Sequence, residues 1–275
     1  MKNLFFLVFM FTGLVAHACS CDIPNTTVEM YSSEYVFQGV AVQKTVTSDS
    51  TSYHVKFRIT ELYKGTPTKE FMEFELPYPK EGVNHSCYWE VEKGETWLIF
   101  AVIENDKLKF YNNCSNSTKI STPLNQDLKQ VLEHGKDLNI SKYTFTALDG
   151  INTVSRPKKN IDSLLGAINS QKFKSKRVDI IIDIDKDGHL ISANLHAKKF
   201  ENRPEKKIID TIFNLNKPEN IQVRNPENQA EIDLLKLVRS LKDWDKVYIP
   251  NSNTSIRFRQ YLQFHKDKAG WKIYY

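Results

Sequence analysis

The chain has 275 residues, of which 40% are hydrophobic and 26% are charged, and its formal net charge is +5. This composition is typical of a globular protein that is long enough for two domains. Up to Gly150 there are 14 Lys and Arg against 18 Asp and Glu, and from Ile151 on there are 24 against 15. The basic residues are scattered among acidic ones without an aromatic-rich basic stripe, so the composition indicates no nucleic-acid partner.

The first 18 residues have the pattern of an export signal. Lys2 precedes an apolar run over residues 4–15, and Ala16 and Ala18 supply the small side chains that a signal peptidase inspects. A membrane anchor is the alternative, but this run is shorter than the roughly 20 apolar residues that span a bilayer. We therefore predict cleavage after Ala18 and a secreted or periplasmic protein with no transmembrane segment after signal removal.

Four cysteines follow the predicted cleavage site: Cys19, Cys21, Cys87 and Cys114. In an exported chain this even number predicts two disulfides, and three pairings are possible. Lipidation of Cys19, as in bacterial lipoproteins, is a second possibility that would tether the protein to a membrane, for example the outer membrane. Lipidation would leave three cysteines and one unpaired thiol, so parity favours plain cleavage.

The first half reads as short strands separated by turns. Residues 52–63 alternate between apolar and polar side chains, and Gly39 suits a bulge where a sheet bends. A short helix is expected over residues 28–33, capped by Thr26 or Thr27, and a second helix over 124–134. Strands are expected at residues 35–42, 52–63, 71–76, 95–102 and 107–111. This pattern predicts a small all-β antiparallel barrel with flanking helices.

Several of these features together carry a resemblance. They are an exported chain that begins Cys19-Ser20-Cys21, the strand Val36-Phe37-x-Gly39-x-Ala41-Val42, Cys87 in a loop, the strand Gly94-x-x-Trp97-Leu98-Ile99-Phe100, and Cys114. Residues 19–135 resemble the netrin-like domain and, more narrowly, the inhibitory domain of the tissue inhibitors of metalloproteinases. The resemblance implies an OB-like barrel. This chain departs from the family pattern because the helix predicted after Cys21 contains no cysteine.

The resemblance also implies the disulfides Cys19–Cys87 and Cys21–Cys114 and a mode of action. The free α-amine and the carbonyl oxygen of Cys19 would chelate the zinc of a target metalloprotease, at the position that a catalytic zinc leaves to water. Ser20 would point into the specificity pocket of the enzyme. The implied inhibitory wedge consists of Ser20, Cys21, Ser86, Cys87 and Tyr88.

Residues 136–159 are polar with little periodicity, which predicts a linker to a second domain over residues 160–275. This half shows a helix at 161–168, two strands between 177 and 195, a helix at 231–241 and a last strand at 255–264. The order strand, strand, helix, strand, with Trp244 closing the helix, resembles the C-terminal domain of TonB, an α+β module of exported bacterial proteins. Residues 199–229 are an insertion relative to that family. The resemblance and the Lys-, Asn- and Ile-rich composition suggest a bacterial envelope protein.

One motif in the second half has the spacing of a calcium loop. Asp183, Asp185 and Asp187 precede Gly188, as at the first, third, fifth and sixth positions of an EF-hand. Asn194 stands where a bidentate Glu is required, and strand-like residues flank the motif instead of helices. The residues therefore favour a structural hairpin over a metal site.

The chain contains no phosphate-binding Gly-rich loop, no zinc-protease motif and no nucleophile elbow, so we expect a binding protein without enzymatic activity or cofactor. Two hypotheses follow. The first is an inhibitor of zinc metalloproteases that acts through Cys19 and Ser20. The second is an interaction module of the bacterial envelope that adds its strand 255–264 to the sheet edge of a partner protein.

Overall fold

The computed structural model describes residues 23–66, 70–78, 89–166, 168, 177–196, 209–218, 223–267 and 270–275. The predicted export signal at residues 1–18 lies outside these ranges. Most described residues belong to antiparallel sheets, to which a few helices are added, so the chain is mixed α+β.

One antiparallel sheet occupies the first half. Its strands are β1 (Tyr35–Val46), β2 (Ser52–Lys64), β3 (Phe71–Pro77), β4 (Thr96–Glu104), β5 (Lys107–Lys109) and β6 (Thr118–Lys119). The strand order is β3–β2–β1–β4–β5, and β6 pairs with β4. The register of β1 against β2 shifts between Gln38 and Gly39, where the sequence predicts a bulge. A Cβ at Gly39 would lie 3.1 Å from the carbonyl oxygen of Arg58, which explains the glycine.

The inner face of this sheet carries an aromatic core. Phe57 contacts Phe74 and Phe110 edge to face, with 5.9 Å between ring centroids in each pair. The curled sheet brings β5 near β3, and Lys107 Nζ lies 3.3 Å from Glu75 Oε2. Among the described residues, however, β3 and β5 share no backbone pairing. The prediction of a closed barrel is therefore corrected to an open sheet, since the short β5 offers little ladder to β3.

The helices are α1 (Thr26–Ser32), α2 (Gln126–His134), α3 (Ile161–Leu165) and α4 (Gln229–Ser240). The N-cap of α1 is Asn25 and not the predicted Thr26 or Thr27, because the Asn25 side chain accepts the N–H of Thr27 at 2.9 Å. Helix α2 packs its Val131 and Leu132 against the outer side of the first sheet, as the apolar spacing predicts.

The segment 136–159 is packed between the two halves. Tyr143, Phe145 and Ile151 are buried in one core with Val28 of α1. The backbone of Phe145 bonds to the strand that begins at Phe258, with which it forms a parallel bridge. Single 3-10 turns lie at Gly135–Asp137, Ile140–Lys142 and Ala147–Asp149. This segment thus contributes core residues that both halves share.

A second antiparallel sheet occupies the second half. Its strands, in the order β11–β8–β7–β14–β15, are Val223–Arg224, Leu190–His196, Arg177–Ile184, Phe258–Asp267 and Gly270–Tyr274. Two small ladders lie beside it: β9 (Ile209–Asp210) with β10 (Leu215–Asn216), and β12 (Val247–Tyr248) with β13 (Ser255–Ile256). The predicted hairpin is formed by β7 and β8. Helices α3 and α4 cover one face, where Trp244 is fully buried.

The predicted last strand, at 255–264, is not at an edge of this sheet. Strand β14 pairs with β7 on one side and with β15 on the other. The edge on this side is formed by β15, a strand beyond those that the sequence predicts. Strand addition on this side of the sheet would therefore use β15.

Candidate functional site

The residues predicted to form the binding edge, Cys19, Ser20, Cys21, Ser86, Cys87 and Tyr88, lie outside the residues that the structure describes. The described residues that border them are Ile23, Tyr78, Trp89 and the Cys114 loop. The contacts that hold these bordering residues in place therefore define the candidate site.

The N-terminal segment is fixed to the loop that follows Cys114. Asn116 Nδ2 donates to the carbonyl oxygen of Pro24 at 2.9 Å. The Asn116 side chain also accepts from Thr26 Oγ1 at 2.9 Å. The Glu29 carboxylate of α1 accepts the Asn116 N–H at 2.6 Å and binds the hydroxyl of Ser115. The chain entering α1 and the chain leaving Cys114 are thus joined through both backbone and side chains.

Glu29 is a buried carboxylate, and burial raises its pKa above the ordinary value. Hydrogen bonds from Ser115 and from Asn116 act in the opposite direction because they favour the charged form. Burial is the largest of these effects, so ionisation of this carboxyl in the folded state lowers folding stability.

The cost of ionising Glu29 predicts that the folding stability depends on pH. The variant Glu29→Gln should remove this dependence. Because the folded pKa is raised, the folded state binds more protons than the unfolded state over the interval between the two values. The contribution of Glu29 to stability is therefore full below its unfolded pKa and is lost as the pH rises through its folded pKa. Urea unfolding between about pH 4 and about pH 8 should show the wild type losing stability relative to Glu29→Gln.

Glu104→Gln is the matched control, because hydrogen bonds from Lys109 and Tyr111 lower the pKa of this exposed carboxyl. The contribution of Glu104 to folding stability depends on pH in the opposite direction. It is present above the unfolded-state pKa and is lost as the pH falls through the lowered folded-state pKa. A pH profile of Glu29→Gln parallel to that of the wild type would contradict the assignment.

The described residues on either side of the segment 79–88 are packed on the first sheet. At one end, the Tyr78 N–H donates to the Thr51 carbonyl at 3.0 Å, and its ring meets Tyr53 edge to face. At the other end, Trp89 lies 5.6 Å from Trp97 and 5.1 Å from Phe110 between ring centroids. Tyr78 and Trp89 are therefore both held by contacts with the core of the first sheet.

The N-terminal segment also contacts the second half of the chain. Asn25 donates its N–H to the Asp149 carbonyl and its Nδ2 to the Asn214 carbonyl, at 3.3 and 3.1 Å. Thr27 Oγ1 donates to the Phe213 carbonyl at 2.7 Å. Gly150, at a φ of 81°, leaves no room for a side chain, since a Cβ would lie 2.4 Å from the Cα of Pro24. Three separate parts of the chain thus hold residues 24–27.

The three aspartates of the calcium-like motif do not converge. Asp183 points to the face away from the helices and binds Arg259, with Nε to Oδ1 at 2.6 Å and Nη2 to Oδ2 at 2.8 Å. Asp185 accepts the N–H groups of Asp187 and His189, both at 2.8 Å, and so caps the hairpin turn. The Asp187 carboxylate lies 2.8 Å from Lys186 Nζ. Within the described ranges, no three His, Cys, Asp or Glu side chains group as metal ligands.

Cys114, which precedes the Asn116 contacts, is disulfide-bonded, and the other three cysteines lie outside the described residues. No helix in the described part of the chain combines the length and the apolar character needed to cross a bilayer.

Comparison with protein-family models and with curated proteins gives no match to the chain.

Sequence reasoning missed the partners that anchor the site. Glu29 and Asn116 are 87 residues apart, and no local pattern marks Glu29 as buried or Asn116 as its partner. One available signal was the run Ser115-Asn116-Ser117, which places hydrogen-bonding side chains directly after Cys114. Asp183 and Arg259 are likewise far apart in the sequence, and no local pattern marks them as a pair.

Proposed function

We propose that the chain is an exported binding protein that presents its N-terminus as a rigid edge to a zinc metalloprotease. The observation that carries this proposal is the joint between Pro24 and Asn116, by which we mean the hydrogen bond from Asn116 Nδ2 to the Pro24 carbonyl. The buried Glu29 reinforces it by accepting the N–H of Asn116. A segment that is ordered before binding loses less conformational entropy on association, and this favours tight binding by a few residues.

The joint supports a disulfide between Cys21 and Cys114. Pro24 lies three residues after Cys21, Asn116 lies two residues after Cys114, and their contacting atoms are 2.9 Å apart. Three extended residues span at most about 10 Å, and disulfide-bonded Cα atoms are about 4.4–6.8 Å apart. The proposed Cys21–Cys114 bond is therefore within reach, and Cys19–Cys87 completes the proposed pairing.

The chemistry of inhibition follows from the terminal Cys19. Its α-amine, with an ordinary pKa near ~8, can lose its proton on binding a metal. The amine nitrogen and the carbonyl oxygen of Cys19 then close a five-membered ring on the zinc and displace the water that hydrolysis requires. Ser20 enters the specificity pocket, and Cys21, Ser86, Cys87 and Tyr88 complete the wedge.

An added residue at the N-terminus tests this proposal. An alanine placed before Cys19 converts the α-amine into an amide, which cannot bind zinc in the same way. We expect inhibition of a purified zinc metalloprotease catalytic domain to fall by at least about 100-fold, which corresponds to about 2.7 kcal/mol. The control carries an alanine after Tyr275 and should inhibit as the wild type does. Equal inhibition by the two extended proteins would refute chelation by the amine.

The netrin-like identity of the first half and the TonB-like identity of the second are part of the same proposal. The first is supported by the curled antiparallel sheet with α1 and α2 outside it. The second is supported by the order β7, β8, α4, β14, with Trp244 packed directly after α4.

The second candidate function is an envelope interaction module, and β15 is the observation that favours it. Strand β15 lies at the edge of the second sheet and carries the exposed Tyr274. A partner strand added there would continue the ladder β7–β14–β15. The N-terminal extension separates the two functions, because it should leave binding at β15 unchanged.

A further inference from the structure

An open cavity lies where the C-terminal end of α1, the end of β2 and the 3-10 turn after α2 meet. Its volume is about 330 Å³, at the lower end of the range of small-molecule sites. At about 30 Å³ for each water-sized unit, this volume holds a ligand of roughly ten non-hydrogen atoms. The walls are formed by Met30 and Tyr31 of α1, by residues 62–65, and by Gly135, Lys136 and Leu138.

The cavity is apolar at its base and opens to solvent at its rim. Met30 is 3% exposed and belongs to the core between α2 and the first sheet. Tyr63 packs against the same core, whereas Tyr31 and Leu138 pack against the core that the two halves share. Leu62 is 40% exposed. Residues from two cores thus offer an apolar surface that a ligand can cover.

The charge of the cavity walls is positive. The described residues that line the cavity include Lys64 and Lys136 and no Asp or Glu. Lys64 Nζ donates to the carbonyl oxygens of Met30 and Tyr31, at 3.0 and 2.6 Å, and lies 5.6 Å from the centroid of the Tyr31 ring. In the described part of the chain, no carboxylate lies within 4 Å of the ammonium group of Lys64 or Lys136.

The contacts of Lys64 hold its ammonium group in place without neutralising it. An ammonium group has three N–H donors, and the two α1 carbonyls accept two of them, so one donor remains. Burial lowers the pKa of Lys64, and the more distant Glu34 opposes this effect without outweighing it. A bound anion would offset the cost of this half-buried charge.

From these observations we infer a binding site for an aliphatic carboxylate, a small molecule with one hydrocarbon chain and one carboxylate group. The chain lies against Leu62, Tyr63 and Leu138, and the carboxylate accepts from Lys64 in a charge-assisted hydrogen bond. Lys136 adds positive charge at the exposed side of the cavity. Apolar walls with a few polar groups that orient the ligand are typical of small-molecule sites. The inference is independent of the proposed edge at Cys19, so either can fail alone.

Calorimetric titration of the full chain with octanoate, whose size matches the cavity, tests this site. We expect saturable binding of one octanoate per chain. Butyrate buries fewer methylene groups and should bind at least about tenfold more weakly. Octan-1-ol has the same chain without the charge and should also bind at least about tenfold more weakly than octanoate. These two comparisons measure the contributions of the chain and of the carboxylate separately.

Two variants test the lysines. Lys64→Gln removes the charge and keeps a donor for the α1 carbonyls, so it should weaken octanoate binding by at least about tenfold. Its affinity for octan-1-ol should stay that of the wild type, which shows that the cavity is intact. Lys136→Glu reverses the charge at an exposed position where folding does not depend on the side chain, and it should weaken octanoate binding by at least about threefold.

The matched control is Lys142→Glu, which makes the same change of charge on the neighbouring 3-10 turn Ile140–Lys142, outside the cavity walls. Its affinity for octanoate should be that of the wild type. The site would be overturned if octanoate did not bind saturably, or if the wild type bound octan-1-ol as tightly as octanoate. Equal affinities of Lys136→Glu and Lys142→Glu for octanoate would also overturn it.

Discussion

Asp183→Ala is expected to lower the free energy of unfolding by about 3–5 kcal/mol. The substitution leaves the buried guanidinium of Arg259 without its carboxylate, and it also removes the partner of Arg257. An uncompensated charge in the interior costs more than the original pair contributed, because the desolvation cost stays while the attraction is lost. Urea unfolding, followed by far-UV circular dichroism at neutral pH, gives this difference directly.

Asp179→Ala is the matched control, since it removes a carboxylate from the same strand and the same sheet face. Asp179 pairs with Arg177 at 2.8 Å, but both side chains are partly exposed. Exposed ion pairs contribute at most about 1 kcal/mol, so this variant should lose little stability. Similar losses in the two variants would mean that Asp183 is not an internal counter-ion.

Phe145→Ala should cost about 3–5 kcal/mol, although residues 136–159 read as a linker in the sequence. Phe145 is 1% exposed, and its core includes Val28 of α1 and Phe258 of β14. A cavity at this position weakens both halves at once. Hydrogen exchange should show α1 and β14 losing protection together, because both contribute residues to this core.

The control for Phe145→Ala is Leu148→Ala in the same segment. Leu148 is 96% exposed on the turn Ala147–Asp149, so its truncation removes almost no packing. We expect a change within about 0.5 kcal/mol. If Phe145→Ala were as mild as Leu148→Ala, the segment would act as a simple connection and the two halves would unfold independently.

Individual helices and strands can be predicted from the sequence because each depends on the pattern of neighbouring side chains. The alternation of Tyr53, Val55 and Phe57 predicts β2, and the apolar spacing in residues 124–134 predicts α2. The hairpin of β7 and β8 follows from its isoleucines and its Asp-Gly turn, which also explains why the calcium-like motif forms a turn.

Tertiary structure alone decided which strands lie at sheet edges and which polar groups are buried together. The position of β14 between β7 and β15 depends on pairing across the whole second half, so the predicted edge strand became internal. Asp183 and Arg259 are 76 residues apart, and Glu29 and Asn116 are 87 apart. Within its own segment, each of these polar side chains has the pattern of a surface residue. The burial of a charge depends on a distant partner, which local periodicity does not encode.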